Sequence, residues 1–133
     1  MYISSRNMEV YPKKITETDA RVRLSVSSKR LDDGFFELAA GERSREFVAF
    51  DADDERRSWR LHLRIRGRGY RKPVISDDWL NFVRDKNVRA HDTVQFSKEY
   101  YYDEAIGAEI MRYRIRVIRE IQLLGGRVHA LVR

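Results

Sequence analysis

The chain has 133 residues, one ordinary domain's worth, and enough to bury a core without cross-links. It has no cysteine, which excludes disulfide frameworks, zinc fingers and thiol mechanisms, and no apolar run approaches the roughly 18 residues of a membrane helix. Lysine and arginine total 27 against 21 acids, a net charge of +6 with a pI near 9.8, and 21 of the 27 cations are arginine. A basic balance suits a polyanion partner, and arginine's planar fork suits oriented contacts to phosphate or guanine. On composition alone, a well-solvated surface explains the charge equally well. The first 14 residues carry no signal-peptide core, so secretion is not expected. With two prolines, seven glycines and no repeat or low-complexity stretch, residues 1–133 are expected to form a single domain.

Thr16-Glu17-Thr18-Asp19 has capping character and predicts a short helical turn. Residues 21–26 alternate, with Val22, Leu24 and Val26 on one face and Arg21, Arg23 and Ser25 on the other, which predicts a strand. Gly34 closes a turn before residues 35–38, Gly41 opens another before residues 47–50, and residues 51–55 form an acidic turn. A clean alternation then sends Trp59, Leu61, Leu63 and Ile65 inward and Arg60, His62, Arg64 and Arg66 outward. Ser76 is the expected cap of a helix with Asp77 and Asp78 at the positive end of its dipole. Trp79, Leu80, Phe82 and Val83 make its apolar face, and Asn87 terminates it. Residues 93–96 predict a short strand. Tyr113, Ile115 and Val117 alternate with Arg112, Arg114 and Arg116, but Ile110, Tyr113, Val117, Ile121 and Leu124 also fit a helix, so both readings stay open. Many short strands with one or two small helices predict a β-barrel or sandwich.

Residues 56–72, RRSWRLHLRIRGRGYRK, hold eight lysines or arginines and no acid. The alternating apolar residues set the strand in the core, so the outward face becomes a rigid basic strip. That strip runs into Arg66-Gly67-Arg68-Gly69-Tyr70-Arg71-Lys72. Its glycines allow close backbone approach to a partner, and Tyr70 is suited to stacking or to a phosphate contact. No catalytic constellation accompanies it. His62, His91 and His129 lack metal-ligand spacing, and no GxSxG, HExxH or P-loop pattern occurs. The acid pairs Asp53-Asp54 and Asp77-Asp78 are explained by a solvated turn and a helix N-terminus. An enzyme is therefore not expected, and no cofactor, metal or small-molecule substrate is implied.

WLNFVRDKNVRAHDTVQF, residues 79–96, closely resembles the signature of the plant B3 DNA-binding domain: a Trp, then Phe-Val, a charged turn and an Asp-x-Val-x-Phe strand. KKITETD at residues 13–19 resembles that family's Lys-x-Leu-Thr-x-Ser-Asp opening, and Trp59 matches its Trp on the strand before the second DNA arm. The resemblance covers about residues 8–118, with residues 119–133 as a C-terminal extension. It implies a mainly β fold, a seven-stranded open pseudobarrel with two short helices, whose two arms enter the major groove of double-stranded DNA. It further implies a nuclear transcription regulator of plants, with no membrane association.

The first arm carries over to Thr16, Thr18, Asp19, Arg21 and Arg23, with Lys14 beside them. The second carries over to Arg66 and Gly67, and to Arg71 further round the same loop; it coincides with the basic strip, which adds Arg64, Arg68, Tyr70 and Lys72 as candidate DNA contacts. WRLHLRIRG is similar to the auxin-response-factor branch, in which Arg-Gly begins the base-reading arm. The sequence departs from the family at several places. The first arm is short and its Ile-Pro ending is replaced by Val26-Ser27. His91 stands where glycine is usual, at a turn that suits positive φ. An alternative keeps this fold for protein–protein interaction, dimerisation or non-specific DNA binding. Tyr100, Tyr101 and Tyr102 and residues 110–124 would then supply the surface, and other regulators or a second copy would be the partners.

Overall fold

The computed structural model describes residues 2–67 and 72–133. In chain order these form β1 (Tyr2–Lys14), α1 (Glu17–Arg21), β2 (Leu24–Ser25), α2 (Lys29–Asp32), β3 (Ser44–Asp51) and β4 (Ser58–Arg66). Then follow β5 (Lys72–Asp77), α3 (Trp79–Lys86), β6 (Thr93–Asp103), β7 (Ala108–Leu123) and β8 (Gly126–Val132). Seven strands run β1-β6-β7-β3-β4-β5-β2 in one curled, open half-barrel, and β8 is added to the far end of β7. All pairings are antiparallel except β3 with β7. This is the expected pseudobarrel with one further strand and one further helix, α2. Among the described residues no helix is long and apolar enough to cross a membrane.

The β4 alternation is realised in full. Trp59, Leu61, Leu63 and Ile65 are buried, while Arg60, Arg64 and Arg66 are exposed and His62 is half-buried. Trp59, Leu61 and Leu63 meet Leu24, Ile75, Phe96, Ile115 and Val117 in one core. Phe35 and Phe36 enter that core from an irregular segment, crossing at 83° with ring centroids 4.9 Å apart, an edge-to-face contact. The segment is fastened by Tyr113, whose hydroxyl donates to the Phe35 carbonyl and accepts from the Glu37 amide.

The helix-or-strand ambiguity of residues 110–124 resolves to strand, because β6 is there to pair. The ladder runs from Thr93 opposite Ile118 to Asp103 opposite Ala108. It buries Tyr113, Ile115 and Val117. The four-residue strand expected at residues 93–96 is therefore the start of an 11-residue strand, and Tyr100, Tyr101 and Tyr102 lie in it.

Two local expectations are corrected. The strand expected over residues 21–26 is only Leu24–Ser25. The Thr16–Asp19 capping box nucleates α1 through Arg21, so Val22 becomes a half-exposed cap residue. Ser76 does not cap α3; it lies in β5 opposite His62, and Asp78 is the cap residue. Asp78 makes no side-chain cap. Its Oδ2 accepts the Arg60 amide and its Oδ1 accepts Asn81 Nδ2, which ties the helix start to β4 instead. Asn87 ends the helix in the left-handed region at φ 52°, and His91 holds φ 78°, as the turn before Asp92 demands.

Candidate nucleic-acid interface

The first arm is built on Asp19. Its carboxylate is buried, with Oδ2 accepting the Thr16 amide at 3.0 Å and Oδ1 accepting the Ser25 amide at 3.0 Å and the Ser25 hydroxyl at 3.1 Å. Lys13 Nζ lies 3.5 Å from Oδ2 and donates to Ser25 Oγ. Burial alone would push this carboxyl up. The Ser25 and Thr16 amides and the Lys13 ammonium outweigh burial and hold it below the usual carboxylate range. Trp79 Nε1 donates to the Asp19 carbonyl at 2.7 Å, fixing α1 against α3.

The described part of the expected second arm is its two ends, Arg66 and Gly67 after β4 and Lys72 at the start of β5. Gly67 sits at φ +84°, where a side chain would be strained. The base of the arm is squared by the β4–β5 ladder, with Arg64 opposite Val74 and Arg66 opposite Lys72. The next strand over is β2, with Ser25 opposite Val74 and Leu24 opposite Ile75. The Val26 amide extends that contact to the Pro73 carbonyl at 3.0 Å. The segment around β2 and the paired ends of β4 and β5 therefore lie side by side. An open cleft between them is lined by Ser25, Val26, Ser27, Ser28, Arg66, Lys72, Pro73 and Val74.

The structure thus brings Arg64, Arg66, Gly67 and Lys72 of the second arm beside the segment that follows Arg21 and Arg23. Arg21, Arg64, Arg66, Gly67 and Lys72 are exposed, and Arg23 is half-buried. Thr16 and Thr18 are exposed in α1 or at its cap, and the Thr16 hydroxyl is engaged by the Asp19 amide. Asp19 faces inward with both oxygens occupied, so it holds the arm rather than presenting a contact. Lys14 is exposed but borders a separate cleft with Arg89, His91 and Arg119. Arg68, Gly69, Tyr70 and Arg71 lie outside the described residues.

The arginines divide by strand. On β7, Arg112 and Arg114 share Glu99 and Glu55, Arg116 lies 3.8 Å from Asp53, and Arg119 grips both oxygens of Asp92. Burial opposes ionisation of Glu99, yet the Arg114 and Arg112 guanidinium groups hold its carboxyl below the usual range. Among the described residues, Arg21, Arg23, Arg60, Arg64 and Arg66 have no carboxylate partner. Their charge remains available to a phosphate backbone without first breaking an internal pair.

Three features escaped the sequence reading. Lys86, apparently a surface residue at the end of α3, is buried and pairs with buried Asp51 at 2.7 Å. Arg43, outside both motifs, donates to the carbonyls of Ile65 and Gly67. Glu46, His62 and Asp77, far apart in the chain, have donor atoms within 4.8 Å of one another across β3, β4 and β5. Two of those three side chains are exposed, and such surface carboxylates are common without a metal. Only tertiary packing reveals any of the three.

No family model matches the sequence, and no curated protein does. Two solved structures are similar in fold. One is the Arabidopsis FUS3–DNA complex, with a TM-score of 0.61 and 15% identity over 80% of this chain and 93% of that one. The other is the Arabidopsis thaliana transcription factor LEC2–DNA complex, with a TM-score of 0.57 and 14% identity over 83% and 96%. The half-barrel described above is the B3 pseudobarrel.

Proposed function

We propose that the chain is a double-stranded DNA-binding domain of a plant transcription regulator, acting in the nucleus and without enzymatic activity. The observation that carries this reading is the adjacency of the segment around β2 and the paired ends of β4 and β5, flanked by arginines that have no acid partner among the described residues. The similarity in fold to FUS3 and LEC2, both solved with DNA, supports it. Arg66 and Arg71 read base edges in the major groove, as in the auxin-response-factor branch that the second arm resembles. Arg64, Arg68, Tyr70 and Lys72 hold the phosphates beside them, and Arg21, Arg23 and Lys14 position the first arm on the backbone. The domain core spans about residues 8–118.

Selection from a random duplex library identifies the preferred site. On that site Arg66→Ala costs about 1–3 kcal/mol and relaxes specificity at one base. Equal loss on every sequence would make Arg66 a phosphate contact, and a library that shows no enrichment would overturn sequence reading altogether.

A second reading, contact with another regulator or a second copy, rests on the β7–β8 ribbon. Ile121, Leu123, Leu124, Val128 and Leu131 are exposed along it. A dimer by light scattering that ignores DNA at low salt would favour that reading over the first.

A further inference from the structure

We infer that Arg43 is a positioning residue for the second arm, acting through the carbonyls of Ile65 and Gly67, the residues on either side of Arg66. This rests on the DNA-binding reading above. Arg43 precedes β3 and lies just beyond the first rung of the β3–β4 ladder, Ser44 opposite Arg64. It grips the end of β4 with main chain and side chain together. Its carbonyl accepts the Ile65 amide at 2.8 Å, and Nη2 donates to the Ile65 carbonyl at 3.2 Å and to the Gly67 carbonyl at 2.6 Å.

Successive carbonyls of a strand point to opposite edges, so those of residues 65 and 67 face β3 while that of residue 66 faces β5. Holding the carbonyl of residue 65 fixes the peptide plane that enters Arg66, and holding that of residue 67 pins the backbone one residue beyond it. That sets the direction of its Cα–Cβ bond and the place where its guanidinium enters a groove. The clamp is needed here because Gly67, at φ +84°, has no side chain to restrict its own backbone. A charged donor to two carbonyls makes a stronger clamp than a neutral one.

The test compares wild-type protein with Arg43→Ala. The exposed position leaves the barrel intact, which a thermal melt verifies. Affinity is measured on the selected duplex and on a scrambled one across a salt series, and amide hydrogen exchange is followed at residues 65–67 without DNA. Positioning predicts about a tenfold loss on the selected duplex, little loss on the scrambled one and an unchanged salt slope, with faster exchange in the free protein. If Arg43 were instead a phosphate contact, both duplexes would weaken together and the slope of log K against log salt would fall by about 0.9, which overturns the inference. Unchanged selectivity in a variant whose parent binds DNA normally also overturns it. A wild-type protein that binds no duplex at low salt removes the DNA-binding reading and this inference with it, so the two failures are told apart by the parent alone.

Discussion

Replacing Asp19 with alanine removes the brace of the first arm while leaving the barrel largely intact. Three hydrogen bonds to a charged acceptor are lost, from the Thr16 amide, the Ser25 amide and the Ser25 hydroxyl. Each such bond contributes about 1.5–3 kcal/mol when made alone. They share one carboxylate and do not add, and the Lys13 pair is partly solvated and contributes little. The expected cost is about 2–4 kcal/mol, a large fraction of the roughly 5–15 kcal/mol of a typical domain. Urea denaturation at pH 7 followed by the fluorescence of Trp59 and Trp79 measures it.

The pH dependence gives an independent check. The Asp19 carboxyl is held below its ordinary value, so its contribution is present above about pH 4 and is lost as pH falls through the depressed folded value. The gap between wild type and variant should therefore shrink in acid. A cost below about 0.5 kcal/mol at pH 7, or a gap that stays constant down to pH 3, would refute the assignment of Asp19 as the brace.

Three further outcomes are expected. Tyr113→Phe lowers stability at pH 7 by about 1–2 kcal/mol, because the Phe35 carbonyl loses its buried donor. Burial raises the Tyr113 hydroxyl to about 12, so its contribution holds below pH 10 and is lost as pH climbs from 10 through about 12; alkaline melts of the Phe variant should be flatter over that range. Lys86→Met strands Asp51 in the core and costs about 3–5 kcal/mol by denaturation, with Arg57, 3.9 Å away, keeping the loss toward the lower figure. Arg119→Ala removes the two-pronged grip on Asp92 and the bond to the Asn87 carbonyl, and costs about 1–2 kcal/mol with faster amide exchange in β8.

β4 was legible because it obeys a strict period of two with one face buried, so every outward position could be named from the alternation alone. The capping box was legible for a similar reason, since Thr16 and Asp19 form a local motif that needs no distant partner. What failed was non-local. Residues 21–26 alternate as a strand does, yet the cap at Thr16, five residues before Arg21, claims Arg21 for a helix. Ser76 had the right chemistry for a cap, but pairing with β4 held it in β5 and passed the helix start to Asp78. The length of β6 and the strand state of residues 110–124 depended on each other, because either pattern becomes a strand only when the other lies beside it. Lys86 reads as solvated until β3 brings Asp51 beneath it. Arg43 carries no motif at all, and its role exists only in the register of β3 against β4.

The central claim is sequence-selective binding of duplex DNA by the two arms. Its most direct test is fluorescence anisotropy of the wild-type protein on the selected duplex and on a scrambled duplex of the same length, at two salt concentrations. Base readout by the two arms predicts a preference of about a thousandfold for the selected duplex, with binding to both weakening as salt rises. Equal affinity for the two duplexes, or no binding to either at low salt, would contradict it.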